Sequence, residues 1–343
     1  MSQNSESIFS SSIRSFCIAF FAILGICLSL MFFFLFISGI FGSSKRGVPF
    51  EYKYEVLPND QFKRESLAFH VPVILQIDIA GIIGSSTLIH ESILGQLIES
   101  REGLIPADKV KAILLNINSP GGVIFDTASI YNAILDYKKR FNVPVYAYID
   151  GLCASGGLYI ACAADKIYAT ETSVVGSVGT LSQFFNVSDL LEKVGVKNLT
   201  LTQGKGKDSL NPFRPWKEGE DSNYVELGQF FYDNFLDVVT KARPKLRRED
   251  LINVYGAKVF PAPIALDYGF IDASGVTKED VLKELREAAH IDQEEGYQLL
   301  RFSEERWLGS LFEGKFLNQI THKIEVGGID LELLNKPLYL YQP

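Results

Sequence analysis

Side chains that bind metals or carry redox chemistry are scarce in this sequence, with four cysteines, four histidines and two methionines among 343 residues. Cys17 and Cys27 lie in an apolar N-terminal run, and Cys153 and Cys162 stand nine positions apart. On one helix that separation leaves about half a turn, so the two thiols would face opposite ways and could not pair. No C-x2-C spacing occurs, and His70, His90, His290 and His322 are scattered without an H-E-x-x-H pattern. The chain therefore reads as one without a disulfide framework, a metal or a cofactor. Basic residues are also short, 33 Lys and Arg against 41 Asp and Glu, for a net charge of -8. An acidic chain repels phosphates and offers no basic stripe for counterion release, which sets nucleic acid aside as a partner. Proline and glycine, at 13 and 28, are not in the excess that marks fibrous or disordered chains. No internal repeat of about 20–50 residues is evident. Apolar residues make up 47%, ample for a core.

One long apolar run stands out. Phe16 to Phe41 carries no charged residue over 26 positions. At about 1.5 Å per residue a helix of that length crosses a hydrocarbon core of about 30 Å with some tilt. The run exceeds the apolar region of a cleaved signal peptide, about 7–15 residues, and no A-x-A-like site follows it. It reads as an uncleaved transmembrane anchor. The flanking charges, Arg14 before and Lys45 and Arg46 after, do not decide its orientation.

Beyond a polar stretch read as linker and stalk, strands rich in β-branched residues alternate with helical periodicity. Val71–Ala80, Lys111–Asn118 and Val143–Ile149 read as strands, and Thr127–Arg140 carries apolar residues at three- and four-residue spacing. Short strands near Lys166–Ala169 and Asn198–Thr202 bracket a small helix, Ser188–Val194. Longer helices are expected over Asp221–Arg243 and Lys278–Ala289. Repeated βα alternation implies an α/β domain with a largely parallel sheet.

Glycine-rich turns follow three of the apolar strands. The first is Ser119-Pro120-Gly121-Gly122, where paired glycines let backbone N–H groups approach a ligand oxygen with no Cβ in the way. The second is Ala154-Ser155-Gly156-Gly157, at the start of a helix. Alone, Ser155 reads as an N-cap. Two glycines, poor helix formers, directly after it point instead to bare amides that stabilise a developing oxyanion. Cys153 is the rival nucleophile, but a thiol needs a base or a cationic setting to ionise, and no histidine lies nearby in sequence. The third turn is Gly176-Ser177-Val178-Gly179-Thr180. Next comes Gly204-Lys205-Gly206-Lys207-Asp208, a basic loop without the G-x-x-x-x-G-K-[ST] spacing of a phosphate-binding loop.

Taken in order, these segments resemble the signal peptide peptidase A family of bacterial serine peptidases, whose pattern runs S-P-G-G, A-S-G-G, G-S-[IV]-G, G-x-x-K-D. The likeness extends from about Val71 to Ala273 and includes Ala163–Ala169 and Ala265–Asp272. It implies a Clp protease/crotonase-like α/β fold preceded by one transmembrane helix. The implied segments are 1–14 cytoplasmic, 15–42 anchor, 43–69 linker, 70–290 peptidase domain and 291–343 an extension whose role is unassigned. The resemblance assigns Ser155 as nucleophile, Lys207 as general base and Ser177 as the hydroxyl that orients the lysine. Gly121 or Gly122, with Gly156, would supply the oxyanion N–H groups. Leu158 and Thr180 depart from the pattern, where tyrosine and an apolar residue are usual. The resemblance also implies peptide substrates, residual signal peptides among them, a homo-oligomer, and a location in the bacterial inner membrane with the catalytic domain outside the cytoplasm.

The chemistry is coherent with those residues. A serine hydroxyl needs a base within hydrogen-bond reach, and a Ser–Lys pair is one solution. An ammonium cannot accept a proton, so a lysine base works only when held out of water and neutral. Lys207 is therefore expected to be covered when the site assembles, with Asp208 turned away from it. Two rivals remain at this level: an acyl-transfer enzyme of the crotonase type, and a membrane scaffold without activity.

Overall fold

The computed structural model describes residues 16–31, 51–64, 71–85, 88–103, 105–106, 108–294, 296–305 and 338–341. Residues 16–31 form helix α1, exposed along its length. Among the described residues no helix is long and apolar enough to cross a membrane. Residues 32–42 of the expected anchor, and the segment 1–14, lie outside the described residues.

The second compact unit begins at Phe50. Its elements run β1 (Glu51–Leu57), β2 (Val73–Ala80), α2 (His90–Glu102), β3 (Val110–Ser119), β4 (Gly121–Val123), α3 (Ile124–Phe141), β5 (Val145–Ala154), α4 (Gly156–Ala161), β6 (Lys166–Ala169), β7 (Val174–Gly176) and α5 (Ser188–Lys193). Then follow α6 (Ser222–Ala242), α7 (Arg248–Asp250) leading into a π turn at Leu251–Tyr255, β8 (Val259–Pro261), α8 (Ala262–Tyr268), β9 (Ala273–Ser274), α9 (Lys278–Ala288), β10 (Gln298–Glu305) and β11 (Leu338–Leu340).

The main sheet is mixed, in the order β1-β10-β2-β3-β5-β6-β9. Its centre is parallel, and β1 pairs antiparallel with β10 at one edge. The central strands are near-continuous apolar runs because helices cover both faces. Ile113, Leu115 and Ile117 face α2, α3, α4 and α6, while Ala112 and Leu114 share a core with Val281, Leu282 and Leu285 of α9. Strand β5 changes neighbours part-way along. Tyr146–Ile149 pair with β6, whereas Leu152–Ala154 pair with β7, which continues antiparallel into β8.

Two expectations need correction, and the unassigned extension gains a place in the fold. The stretch 43–69, read as linker, contains β1, whose partner β10 lies far away in sequence. Asn198–Thr202 is not a strand. It alternates as a strand would, but no sheet edge meets it, and Leu199 and Leu201 are 82% and 85% exposed. The extension 291–343 supplies β10 to the main sheet and β11 to a two-stranded sheet with β4. Residues 306–337 lie outside the described residues.

Candidate active site

The glycine-rich turns converge because they end adjacent strands. β3 runs into Ser119, and β5 beside it runs into Ser155, with Ser119 opposite Cys153. β7 lies next to β5 and ends at Gly176 opposite Ala154. The Ser155 N–H donates to Gly176 O at 2.9 Å, so the residue before Ser177 is fastened to the backbone of Ser155. The Ser177 N–H in turn donates to Lys258 O at 2.7 Å.

Ser155 occupies a strained backbone conformation, φ 54° and ψ -115°, at the junction of β5 and α4. Such conformations in non-glycine residues cost on the order of 1–3 kcal/mol and cluster at functional sites. The N-cap alternative fails on geometry, since the Ser155 side chain makes no cap bond. The residue is 1% exposed, and its hydroxyl has no hydrogen-bond partner among the described residues. Ser177 is likewise buried with positive φ, at 60°.

The glycines are explained by crowding. A Cβ on Gly156 would meet Thr127 Oγ1 at 2.8 Å and Gly121 Cα at 3.2 Å, so α4 starts hard against the Gly-Gly strand. Gly121 has φ +97°, and a Cβ there would lie 1.9 Å from Tyr339 O and 2.6 Å from Gly156 N. Gly122 is threaded between Ile83 and Tyr339, bridging the first in parallel and pairing the second in β11. The Gly156 N–H has no acceptor among the described residues, which leaves it free to receive a developing negative charge.

Lys207 is not joined to this cluster. It is exposed on the turn 204–210, and no side-chain bond or ion pair holds it among the described residues. Its neighbour Asp208 is turned aside, accepting from Arg214 Nε at 2.9 Å. Arg214 also bridges to Glu220, and the Arg214 bond holds the Asp208 carboxyl below the usual carboxylate range. Cys153 is not a rival nucleophile. It is free and fully buried, and that burial pushes its thiol well above the ordinary value.

Several residues at the site escape the motif reading. Ile83 holds the Gly-Gly strand through Ile83 N to Gly121 O, 2.9 Å, and Val123 N to Ile83 O, 2.8 Å. Tyr339 fills a recess between Tyr159 and Phe235, ring centroids 5.4 and 4.7 Å away, and its hydroxyl donates to Phe231 O at 2.6 Å. The one sequence signal for it is the alternating Leu338-Tyr339-Leu340.

The model of Peptidase family S49 matches residues 137–292, and that of Clp protease matches 80–175, which spans β3 to β7. A Synechocystis protein named as a protease is 31% identical over 207 residues, covering 60% of this chain and 71% of its own length. The chain belongs to peptidase family S49. An Enterococcus faecium protein named for signal peptide peptidase SppA is 34% identical over 223 residues, 62% of each chain. A Methanocaldococcus jannaschii protein named as a protease is 31% identical over 188 residues, 55% of this chain and 59% of its own. This S49 member thus spans about three fifths of those two relatives. Its fold is the Clp protease-like α/β fold with a mixed sheet.

Proposed function

We propose that this S49 member is a serine endopeptidase in which Ser155 attacks the peptide carbonyl and Lys207 takes its proton. The observation that carries this reading is the backbone of Ser155, strained and buried at a strand end beside the open Gly156 N–H. The Gly121 N–H already donates to Ser119 Oγ at 3.1 Å, so Gly156 with Gly122 stabilises the oxyanion, and Ser177, fastened one residue from the Ser155 contact, orients the lysine. The hydroxyl proton passes to the lysine and then to the leaving amine, and water hydrolyses the acyl-enzyme. Because Lys207 is exposed, the reading requires the loop 204–210 to be covered before catalysis, by its own chain or by a second copy. The exposed Val194, Val196, Leu199 and Leu201 support assembly into a homo-oligomer.

The apolar run 16–41 serves in this reading as a membrane anchor that places the enzyme at the bacterial inner membrane, facing away from the cytoplasm. Residual signal peptides are its substrates, in line with the name of the Enterococcus relative. The test is labelling by a fluorophosphonate probe alongside a peptide-cleavage assay. Wild type is expected to label and cut, while Ser155→Ala does neither and Lys207→Ala loses nearly all cleavage. Labelling and cleavage that persist in Ser155→Ala would refute the assignment.

A further inference from the structure

Resting on the peptidase reading, we propose that Arg214 is a positioning residue for the general base. It takes the charge of Asp208 away from Lys207 and ties the turn that carries Lys207 to the start of α6.

The need is set by the sequence. Lys207 can accept a proton only as a neutral amine, and the next residue in the chain is a carboxylate. An opposite charge within about 4–6 Å favours the ammonium, and the attraction grows as the pair leaves water. The turn 204–210 has to be covered before catalysis. Left alone, Asp208 would be carried in beside Lys207 and would hold it charged. Another cation must therefore take the carboxylate.

Arg214 meets that need with every donor it has. A guanidinium presents about five N–H donors in a fixed fork, and all of them are used here. Nε donates to Asp208 Oδ2 at 2.9 Å. One terminal nitrogen donates to Pro215 O at 2.9 Å and to Glu220 Oε2 at 3.0 Å. The other donates to the Asp208 backbone O at 2.8 Å and to Glu220 Oε1 at 2.5 Å. Both the carboxylate and the carbonyl of Asp208 are gripped, one residue from Lys207. The paired bonds to Glu220 fix the fork from behind, so it does not turn with Asp208. Glu220 directly precedes Asp221, the N-cap of α6, and Phe235, Leu236 and Val239 of that helix are buried in the core. The connection runs from the core through α6, Glu220 and Arg214 to the base.

The turn has little else to hold it. Its backbone bonds are Lys207 N to Gly204 O, 3.4 Å, and Ser209 N to Gly206 O, 3.1 Å. Within 204–210, Asp208 is the one residue whose side chain is hydrogen-bonded among the described residues. The other charged groups nearby are Lys205 on the turn and Lys217 on the stretch packed against it, and Lys217 acts on Asp208 only at a distance. Asp189, Glu192 and Lys197 border a recess shared with Arg214 and form no ion pair with it. The segment 198–200 meets the stretch through Asn211 Nδ2 and Thr200 Oγ1, 3.1 Å apart, and brings no charge.

Removing Arg214 frees the Asp208 charge, favours the Lys207 ammonium and moves the rising limb of activity to higher pH. Wild type, Arg214→Ala and Arg214→Ala/Asp208→Asn are assayed as full-length protein in detergent for kcat and KM on a peptide, across about pH 6–10. Arg214→Ala is expected to lose about tenfold in kcat at neutral pH, with KM kept within about twofold and the limb displaced upward. Asp208→Asn on top of it should return the limb to its wild-type place, which the repair of a merely structural clip would not do. Should the alanine variant not fold, Arg214→Gln takes its place, with the same order expected. The second readout needs no turnover. In the Ser155→Ala background, acetylation of Lys207 by an activated ester is followed by peptide mass against the exposed Lys193. Arg214→Ala should slow Lys207 by about three- to tenfold relative to Lys193 at fixed pH, and Asp208→Asn should restore it. An unmoved limb, unmoved acetylation, or a loss that Asp208→Asn does not repair overturns the positioning role and leaves the peptidase reading standing. Wild type without cleavage, or Lys207→Ala that cleaves as fast as wild type, overturns the peptidase reading and with it the role of Arg214 in catalysis.

Discussion

Gly121→Ala is the perturbation with the sharpest expected outcome. The position has φ +97°, where an L side chain is strained by about 1–3 kcal/mol. The added methyl would sit 1.9 Å from Tyr339 O, and reaching the 3.4 Å of ordinary contact requires the paired strand to retreat by about 1.5 Å. A substrate strand in the same register meets the same obstacle. An oxyanion donor works within a window of about 2.7–3.1 Å, so that retreat removes it, and losing one such donor costs about 10²–10³ in kcat. The expected result is a loss of at least about a hundredfold in kcat/KM on a peptide substrate, with a urea midpoint lowered by the strain alone. The control is Gly228→Ala in α6, where an added Cβ meets nothing within 4 Å. Activity should be kept there and stability should rise by up to about 1 kcal/mol from helix propensity. Gly121→Ala enzyme within threefold of wild type would refute the placement of the Gly-Gly strand at the oxyanion site.

Two further outcomes follow from ion pairs. Arg243, 9% exposed, forks onto Asp272 at 2.8 and 2.9 Å, and the same carboxylate accepts the Ile167 N–H. Burial pushes the Asp272 carboxyl up, but the Arg243 and Ile167 bonds outweigh it and hold the group below the ordinary value. The stabilisation is therefore complete above the unfolded carboxylate range and lost as pH falls through the lower folded value. Asp272→Ala should cost about 2–3 kcal/mol by urea denaturation at neutral pH, less than a fully buried pair because Asp272 is 34% exposed. Its stability should then fall less than that of wild type between about pH 5 and 3, and parallel pH curves would contradict the assignment. Arg214→Ala should release Asp208 and Glu220, loosen the loop carrying Lys207 and lower kcat by about tenfold with little change in melting temperature. Unchanged turnover in that variant would show that the loop needs no such brace.

Much of this arrangement was legible in the chain because it is local. Lys166–Ala169 is a strand as read, and the helix expected over Asp221–Arg243 is observed at Ser222–Ala242. The Gly-Gly and Ser-Gly-Gly turns mark strand ends that the parallel sheet brings side by side. What escaped was decided by distant partners. Glu51–Leu57 alternates polar and apolar residues and becomes a strand because Gln298–Glu305 is there to pair with it. Asn198–Thr202 alternates as well and stays unpaired, because β propensity needs an edge to act on. Lys207 was read from a motif, and a motif places a residue in sequence, not beside a buried serine. The pocket around Tyr339 joins β11 to α4 and α6, and no local pattern connects those three elements.

The change of neighbours along β5 bears on how this protein loses function. Val145–Ile149 sit deep in the main sheet, whereas Leu152–Ala154, β7 and β8 form a small side branch of three-residue pairings. Both site serines hang from that branch, tied together through Ser155 N and Gly176 O. Its pairings are short, so the branch is expected to open at a lower free energy than the sheet behind it. Inactivation on warming is then expected as a local event that sets in while the helices and the central strands are still intact.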